Sequence, residues 1–248
     1  MPSPDGLHRG NRILAALPDT VFAPIRSALV RVLLPAGETL CERGTRLEYL
    51  DFPHDGVVSF LYVADGRRIE TTTVGREGVV GVGALLGDER VDHAVMVRIP
   101  GAATRIPLRL FAEVVEKDPA AHALIMRYAK AQLAHATQLA ACNAGHSLEQ
   151  RLCRWLLLAH DRSRSEVLNV TQDGLAEALG VRRQGISEGM RGLCATQAVS
   201  AGRGWIAVLD RARLEARSCE CYSLISNAHA GVLAPYPPGG GRPVRAAS

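Results

Sequence analysis

The chain has 248 residues, of which 47% are hydrophobic and 22% charged, and its net charge is +4. That length suits one or two domains with a sizeable core. No apolar run reaches membrane-spanning length, MPSPDGLHRGN holds no apolar signal region, and the charge is too mild to demand a polyanion by itself, so the expected compartment is the cytoplasm and no membrane partner is expected.

From about Val30 to Ile106, short β-branched runs alternate with turn signals. Arg31–Leu34 precedes Pro35-Ala36-Gly37, and Tyr49–Phe52 precedes Pro53-His54-Asp55-Gly56. Val57–Val63 and Arg67–Val74 flank Asp65-Gly66, the strongest hairpin signal. Val79–Val82 and Ala94–Ile99 complete the runs, with Pro100-Gly101 closing the last. Many short strands at regular spacing predict a β-sandwich or β-roll.

After Ile106 the pattern turns helical. Pro107–Lys117 reads as a short helix that stops at Asp118-Pro119. A long helix follows from about Ala120 to Asn143. In it Met126, Ala129, Leu133, Ala136 and Ala140 alternate three and four apart, a seam along which a second copy of the helix can pair. Leu124, Ile125 and Leu139 make other faces apolar too, as in a helix lying between two bodies. Asn143–His146 is a hinge. Ser147 and Gln150 then form a capping box that opens a helix over Leu148–His160.

Beyond the polar loop Asp161–Glu166 and the run Val167–Val170 comes Thr171–Arg191, TQDGLAEALGVRRQGISEGMR. Leu175, Ala176 and Leu179 give one helix an apolar edge, Gly180 suits a left-handed exit, and Val181 plugs the corner. Ile186, Met190 and Leu193 form the buried stripe of a second helix. Arg183, Gln184, Ser187, Glu188 and Arg191 remain on its outer face, a surface able to read base edges in a major groove. Gly185, Gly189 and Gly192 weaken this helix by about 1 kcal/mol each relative to alanine, so packing must hold it. Val199–Val208 reads as a tight hairpin, the wing of a winged helix-turn-helix, with Arg203 at its tip. Asp210–Cys219 reads as a last short helix, and from Ala234 the chain is mostly Pro, Gly and Arg.

Only Lys117 and Lys130 are lysines, so arginine abundance is a bias of the whole chain; its placement is more informative. Between Ser147 and Arg217 eleven arginines face eight acids, a net of +3, as phosphate contacts require. Six cysteines stand at 41, 142, 153, 194, 219 and 221 without a C-x₂-C pair, a spacing that fits neither a disulfide framework nor a zinc site. No metal site is therefore expected. Cys142, Cys153 and Cys194 read as small core residues, and Cys219 and Cys221, in SCECY, as the two that could face a metal or an oxidant. No nucleophile elbow, HExxH, lysine-bearing phosphate loop or supported carboxylate pair is present, so no catalytic residue and no enzyme is expected.

The order β-roll, long helix, winged helix-turn-helix resembles the Crp/Fnr family of bacterial transcription regulators over roughly residues 15–215. LLPAGETLCERG is similar to its opening strand-turn-strand, REGVVGVGALLGDE to its phosphate-cradling loop, VTQDGLAEALGVRRQGISEGMRGL to its helix-turn-helix and VSAGRGWIAVLD to its wing. The resemblance implies an α+β fold: a cyclic-nucleotide-binding-like β-roll over 12–118, a dimerisation helix and hinge over 119–145 and a winged helix-turn-helix over 146–222; the composition adds a disordered tail over 223–248. It implies double-stranded DNA and a second copy of the chain as partners, with RNA polymerase a further candidate. Arg183, Gln184, Ser187 and Glu188 would read bases; Thr171, Gln172, Arg182, Arg191 and Arg203 would meet phosphates.

The departures from the family are informative. Members that bind cyclic AMP hold its ribose with Glu and its phosphate with Arg followed by Ser or Thr. Here Gly81, Val82, Gly83 and Ala84 form the loop remnant, with Val82 in place of that Glu and Asp92-His93 in place of the Arg-Ser pair. Asp92 repels an anion and Val82 cannot accept a ribose hydroxyl, so cyclic nucleotide is not the expected ligand. The first forty residues hold no cysteine, so an iron–sulfur cluster is not expected either, and no cofactor is predicted. His54, His93 and His135 are available as haem ligands but read as structural or exposed. In the second helix Arg183 suits G and Gln184 suits A, while Glu188 accepts from C or pairs with Arg191. Two other readings are open: a redox-responsive DNA-binding regulator using Cys219 and Cys221, and a ligand-binding module whose winged helix contacts protein.

Overall fold

The computed structural model describes residues 8, 10–64, 67–87 and 89–234. Two short helices, α1 (Arg12–Ala16) and α2 (Asp19–Ile25), precede the sheets. The buried Asn11 caps α1, accepting from the Ile13 and Leu14 amides, and its Nδ2 donates to Pro53 O (2.8 Å) and Gly78 O (2.7 Å). One side chain thus ties the entry helix to the roll.

The roll consists of two antiparallel sheets. One orders β1 (Val30–Leu34), β7 (Gly101–Pro107) and β3 (Tyr49–Pro53); the other orders β2 (Thr39–Cys41), β6 (Ala94–Ile99), β4 (Val57–Ala64) and β5 (Arg67–Val74). Leu34, Val58, Val74, Val80, Val95, Val97 and Ala103 fill the space between them. The register of β4 on β5 pairs Ala64 with Arg67, which leaves two residues to turn; Asp65 and Gly66 themselves lie outside the described residues.

One expectation for the roll is corrected. Val79–Val82 is no strand: Val80 makes a single bridge to Asp51, then Gly81 turns at φ +96° into a 3-10 turn over Val82–Leu85. A side chain at Gly81 would also strike Leu47 Cδ2, so the glycine both turns the chain and fits it under the roll. Pro100 closes β6 at Ile99 as expected, and β7 starts directly at Gly101, which lies so close to Asp55 O that no side chain fits there.

Helix α3 (Leu108–Lys117) leads into α4 (Pro119–Gly145), which Asp118 caps by accepting from the Ala120 and Ala121 amides. One face of α4 buries Leu124, Ile125, Tyr128, His135 and Leu139. The chain breaks at His146, and the Ser147–Gln150 capping box starts α5 (Leu148–Ser163). The winged domain follows: α6 (Gln172–Leu179), α7 (Arg183–Ala195), and a sheet ordered β8 (Val167–Leu168), β10 (Trp205–Val208), β9 (Val199–Gly202). Helix α8 (Arg211–Arg217) packs on α5.

The expected tail over 223–248 is corrected at its start. Cys221–Ala230 forms helix α9, which lies against α4 and is followed by a 3-10 turn over Gly231–Leu233. Cys221, Ile225 and His229 recur four apart and face inward, enough to seat a helix with no charge pattern. Residues 235–248 lie outside the described residues.

Candidate nucleic-acid interface and effector cavity

The helix pair α6–α7 is built as its spacing predicts. Thr171 Oγ1 accepts from the Gly174 amide (3.0 Å), and Gly180 leaves α6 at φ +65°. Leu175, Leu179, Ile186, Met190 and Leu193 are buried together against α5. A Cβ on Gly185 would stand 3.0 Å from Leu148 Cδ2, and one on Gly189 3.1 Å from Leu152 Cδ2. These glycines therefore let α5 and α7 approach closely, which explains residues that are costly in an isolated helix.

Arg182, Arg183, Gln184, Glu188 and Arg191 are exposed, and Arg203 stands exposed at the wing turn. Arg183 Nη1 lies 3.3 Å from Asp173 Oδ2, yet both side chains are about two-thirds exposed, so the pair is weak and the guanidinium remains available. Of the two expectations for Glu188, the pairing with Arg191 is not formed. Gln184 Nε2 donates to Glu188 Oε1 (3.1 Å), while Arg191 Nε donates to Ser187 O (3.4 Å), because Gln184 lies one turn before Glu188 on the same ridge. Ser187 Oγ donates to Gln172 Oε1 (2.7 Å) and ties the two helices together, so its hydroxyl is engaged within the protein.

A second concave region lies under α4. A cavity of about 410 Å³ is lined by all six residues of the loop remnant: Gly81, Val82, Gly83, Ala84, Asp92 and His93. Phe60, Leu47 and Val95 close it from the roll, and Ala129, Gln132, Leu133 and Ala136 close it from α4. Spacing did not single out two polar contributors. Gln132 Nε2 donates to Thr72 Oγ1 (3.1 Å), while its buried Oε1 has no partner among the described residues. Arg90 also lines the wall, with Nη1 donating to Gly44 O (2.9 Å).

The predicted seam on α4 divides: Met126 and Ala129 pack against this chain's core, while Leu133 and Ala140 face outward. Met126, Ala129 and Ala136 are half-buried, Ala140 is exposed, and Leu133 is 69% exposed. The three candidate haem histidines lie apart. His54 Nε2 meets Thr104 Oγ1 (2.7 Å), His93 packs edge-on to Phe60, and His135 is buried against His229. Burial lowers His54 and His229 to about 4 and pushes His135 well down.

Cys219 and Cys221 are not a solvent-facing pair. Both are buried, and Cys219 Sγ is 3.5 Å from Cys142 Sγ. Burial pushes the Cys142 thiol up to about 12 and raises Cys219, the opposite of an activated thiolate.

The roll and winged domain meet in a polar seam. Arg98 Nη1 pairs with Glu177 Oε2 on α6 (2.9 Å), and Trp155 Nε1 donates to Glu70 Oε1 (3.0 Å). Arg162 Nη2 pairs with Glu77 Oε1 (2.7 Å), and Arg162 also donates to the Thr73 hydroxyl. Burial alone would raise Glu77; the Arg162 guanidinium outweighs it and holds the carboxyl low. Burial pushes Glu70 up against the pull of Arg98.

Comparisons with known proteins agree with this division. A family model described as a Crp-like helix-turn-helix domain matches residues 150–217, and one described as a cyclic nucleotide-binding domain matches residues 31–118. No curated protein sequence matches the chain. Similar solved structures include FixK2 from Bradyrhizobium japonicum, at 15% identity and TM-score 0.66, covering 77% of this chain and 98% of that one. A CRP-family transcriptional regulator from Thermus thermophilus, TTHB099, is 20% identical with TM-score 0.62, over 75% and 96% of the two chains. CLP from Xanthomonas campestris, described as a c-di-GMP responsive global regulator, is 17% identical with TM-score 0.58, over 77% and 99%. Among the described residues no helix is long and apolar enough to cross a membrane.

Proposed function

The chain belongs to the Crp/Fnr family of transcriptional regulators, joining a cyclic nucleotide-binding domain to a Crp-like helix-turn-helix domain, and on that premise we propose that it works as a cytoplasmic homodimer that reads an inverted-repeat operator and does not take cyclic AMP as its signal. The observation that carries the reading is the exposed face Arg183, Gln184, Glu188 and Arg191 on a helix whose other side is sealed, with Arg203 beside it on the wing. Arg183 reads G and Gln184 reads A by donor–acceptor geometry; Arg182, Arg191 and Arg203 hold phosphates. Two copies pair along Met126, Ala129, Leu133, Ala136 and Ala140. Exposure of Leu133 between small residues supports this, since a single chain leaves that leucine in water. Pairing sets the two reading helices one turn of DNA apart, about 34–36 Å. RNA polymerase is the further partner through which bound DNA is read out, and no catalytic step is assigned.

Val82 and Asp92 on the cavity wall support a signal other than cyclic AMP. One offers no acceptor for a ribose hydroxyl, and the other opposes a phosphate. That CLP is described as responding to c-di-GMP illustrates that this architecture serves ligands of more than one kind.

Genome-wide footprinting of the full chain tests the reading. Inverted repeats with G and A at the contacted positions are expected. Protection without symmetry, or no protection, overturns it. In calorimetry, cyclic AMP is expected to give no saturable heat; micromolar binding overturns the signal assignment.

A further inference from the structure

Outside both regions, the fold assembles four donor groups that are scattered in sequence. Cys142 and His146 occupy the last turn of α4, four residues apart on one face, with His146 as its C-cap. Cys219 and Glu220 lie in the connection from α8 to α9, and Cys221 opens α9. The three sulfurs and one imidazole nitrogen lie within 4.8 Å of one another. We propose that Cys142, His146, Cys219 and Cys221 form a tetrahedral Cys₃His site for zinc.

The distances suit that ion. Zinc bonds of about 2.3 Å to sulfur and 2.0–2.1 Å to nitrogen give tetrahedral edges of roughly 3.5–3.8 Å. Cys142 Sγ stands 3.5 Å from Cys219 Sγ, and Cys221 Sγ stands 3.5 Å from His146 Nδ1. Shifts of under about 1 Å close the remaining edges. On binding, each thiol gives its proton to solvent and each thiolate donates a pair to the metal.

The surroundings match a bound metal better than four unrelated side chains. Glu220 Oε1 lies 3.3 Å from His146 Nε2, a carboxylate beside the imidazole that favours a proton on Nε2 and leaves the Nδ1 lone pair for a metal, as carboxylate–histidine pairs do at metal sites. Gln138 Nε2 donates to Cys221 Sγ (3.0 Å), a bond that stabilises a thiolate. Three thiolates and one imidazole around Zn²⁺ leave a net charge of −1. The guanidinium of Arg154, 3% exposed and acting electrostatically on Cys142, has Nε and Nη1 without hydrogen-bond partners among the described residues, and supplies the compensating charge. A Cys142–Cys219 disulfide would account for neither His146–Glu220 nor Arg154. Two ligands lie at the C-terminal end of α4 and two at the junction of α8 and α9, so the metal would staple the dimerisation helix to the last helices of the chain.

The test is metal analysis of the full-length chain, purified under reducing conditions without a metal-binding tag. About one zinc per chain is expected. Cobalt(II) loaded in its place should show tetrahedral d–d bands and thiolate-to-cobalt charge transfer. Cys221→Ser should lose about one third of the charge-transfer intensity, one thiolate in three. Should buried cysteine variants not fold, His146→Ala, at a position only partly buried, should weaken zinc at least tenfold, Glu220→Gln should weaken it roughly tenfold, and Cys41→Ser should change nothing. A folded chain without zinc that gives no cobalt bands overturns the site. So does a mass two hydrogens short that reduction restores, or iron with acid-labile sulfide.

Discussion

The reading face of α7 and the seam between roll and winged domain are both made of arginines and their polar partners, yet they have opposite physical character. In the seam, Arg162 and Glu77 are 4% and 10% exposed and paired at 2.7 Å, each holding the other in a desolvated place. On α7, Arg183 and Asp173 are 67% and 66% exposed and meet at 3.3 Å. The first pair is committed to the fold; the second leaves its cation free for another anion. Charge alone therefore does not identify a DNA contact here. Burial does.

The largest test of that contrast is Arg162→Ala. It strands the Glu77 carboxylate and should cost about 3–5 kcal/mol in urea unfolding, before any DNA is added. A loss below about 1 kcal/mol would place the seam with ordinary surface pairs. Arg183→Ala should leave stability within about 0.5 kcal/mol of the parent. It should lower discrimination at one operator base pair by roughly 1–3 kcal/mol in competition binding. If operator and random DNA are still distinguished as before, the reading face is misassigned.

Acid sharpens the same contrast. His54 and His229 are held near 4 by burial, whereas in the unfolded chain they titrate near 6.5. Below pH 6.5 the unfolded state takes up protons that the folded state refuses, so stability falls as pH drops toward 4 and is fully present above 6.5. From pH 6.5 to 5.5 the loss should be about 1 kcal/mol per histidine, measurable by thermal unfolding, and His54→Gln should flatten part of it. The smallest effect is expected at the wing. Arg203→Ala should weaken all DNA alike and reduce the slope of log affinity against log salt by about 0.9.

The reading helix was legible because its information is local. Gly180, the stripe Ile186–Met190–Leu193 and the capping box at Ser147 each lie within a few turns. What was missed depends on distant partners. Strand β7 carries Ala102, Ala103 and Thr104, which no strand pattern marks, and it forms because β1 and β3 clamp it on both sides. Helix α9 holds to α4 through Cys221, Ile225 and His229, a spacing visible only once α4 supplies the surface. The six cavity residues, read by likeness, do meet; Gln132 arrives from α4, and Arg90, though only two residues before Asp92, carries no spacing signal of its own. The expectation of no metal rested on the absence of C-x₂-C; the side chains proposed above as donors meet across 75 and 77 residues, which no local spacing can mark.

Gly185 and Gly189 bear on any attempt to retarget this protein. With Leu148 and Leu152 at 3.0 and 3.1 Å from where their side chains would begin, the inner wall of α7 has no room to spare. A reading helix transplanted whole from another regulator would ride a few tenths of an ångström outward unless it kept both glycines. Its outer residues would then miss base edges that they match in type. Reprogramming by outward substitution at 183, 184, 188 and 191 leaves the seat untouched, which makes the helix a socket with exchangeable pins and a fixed base.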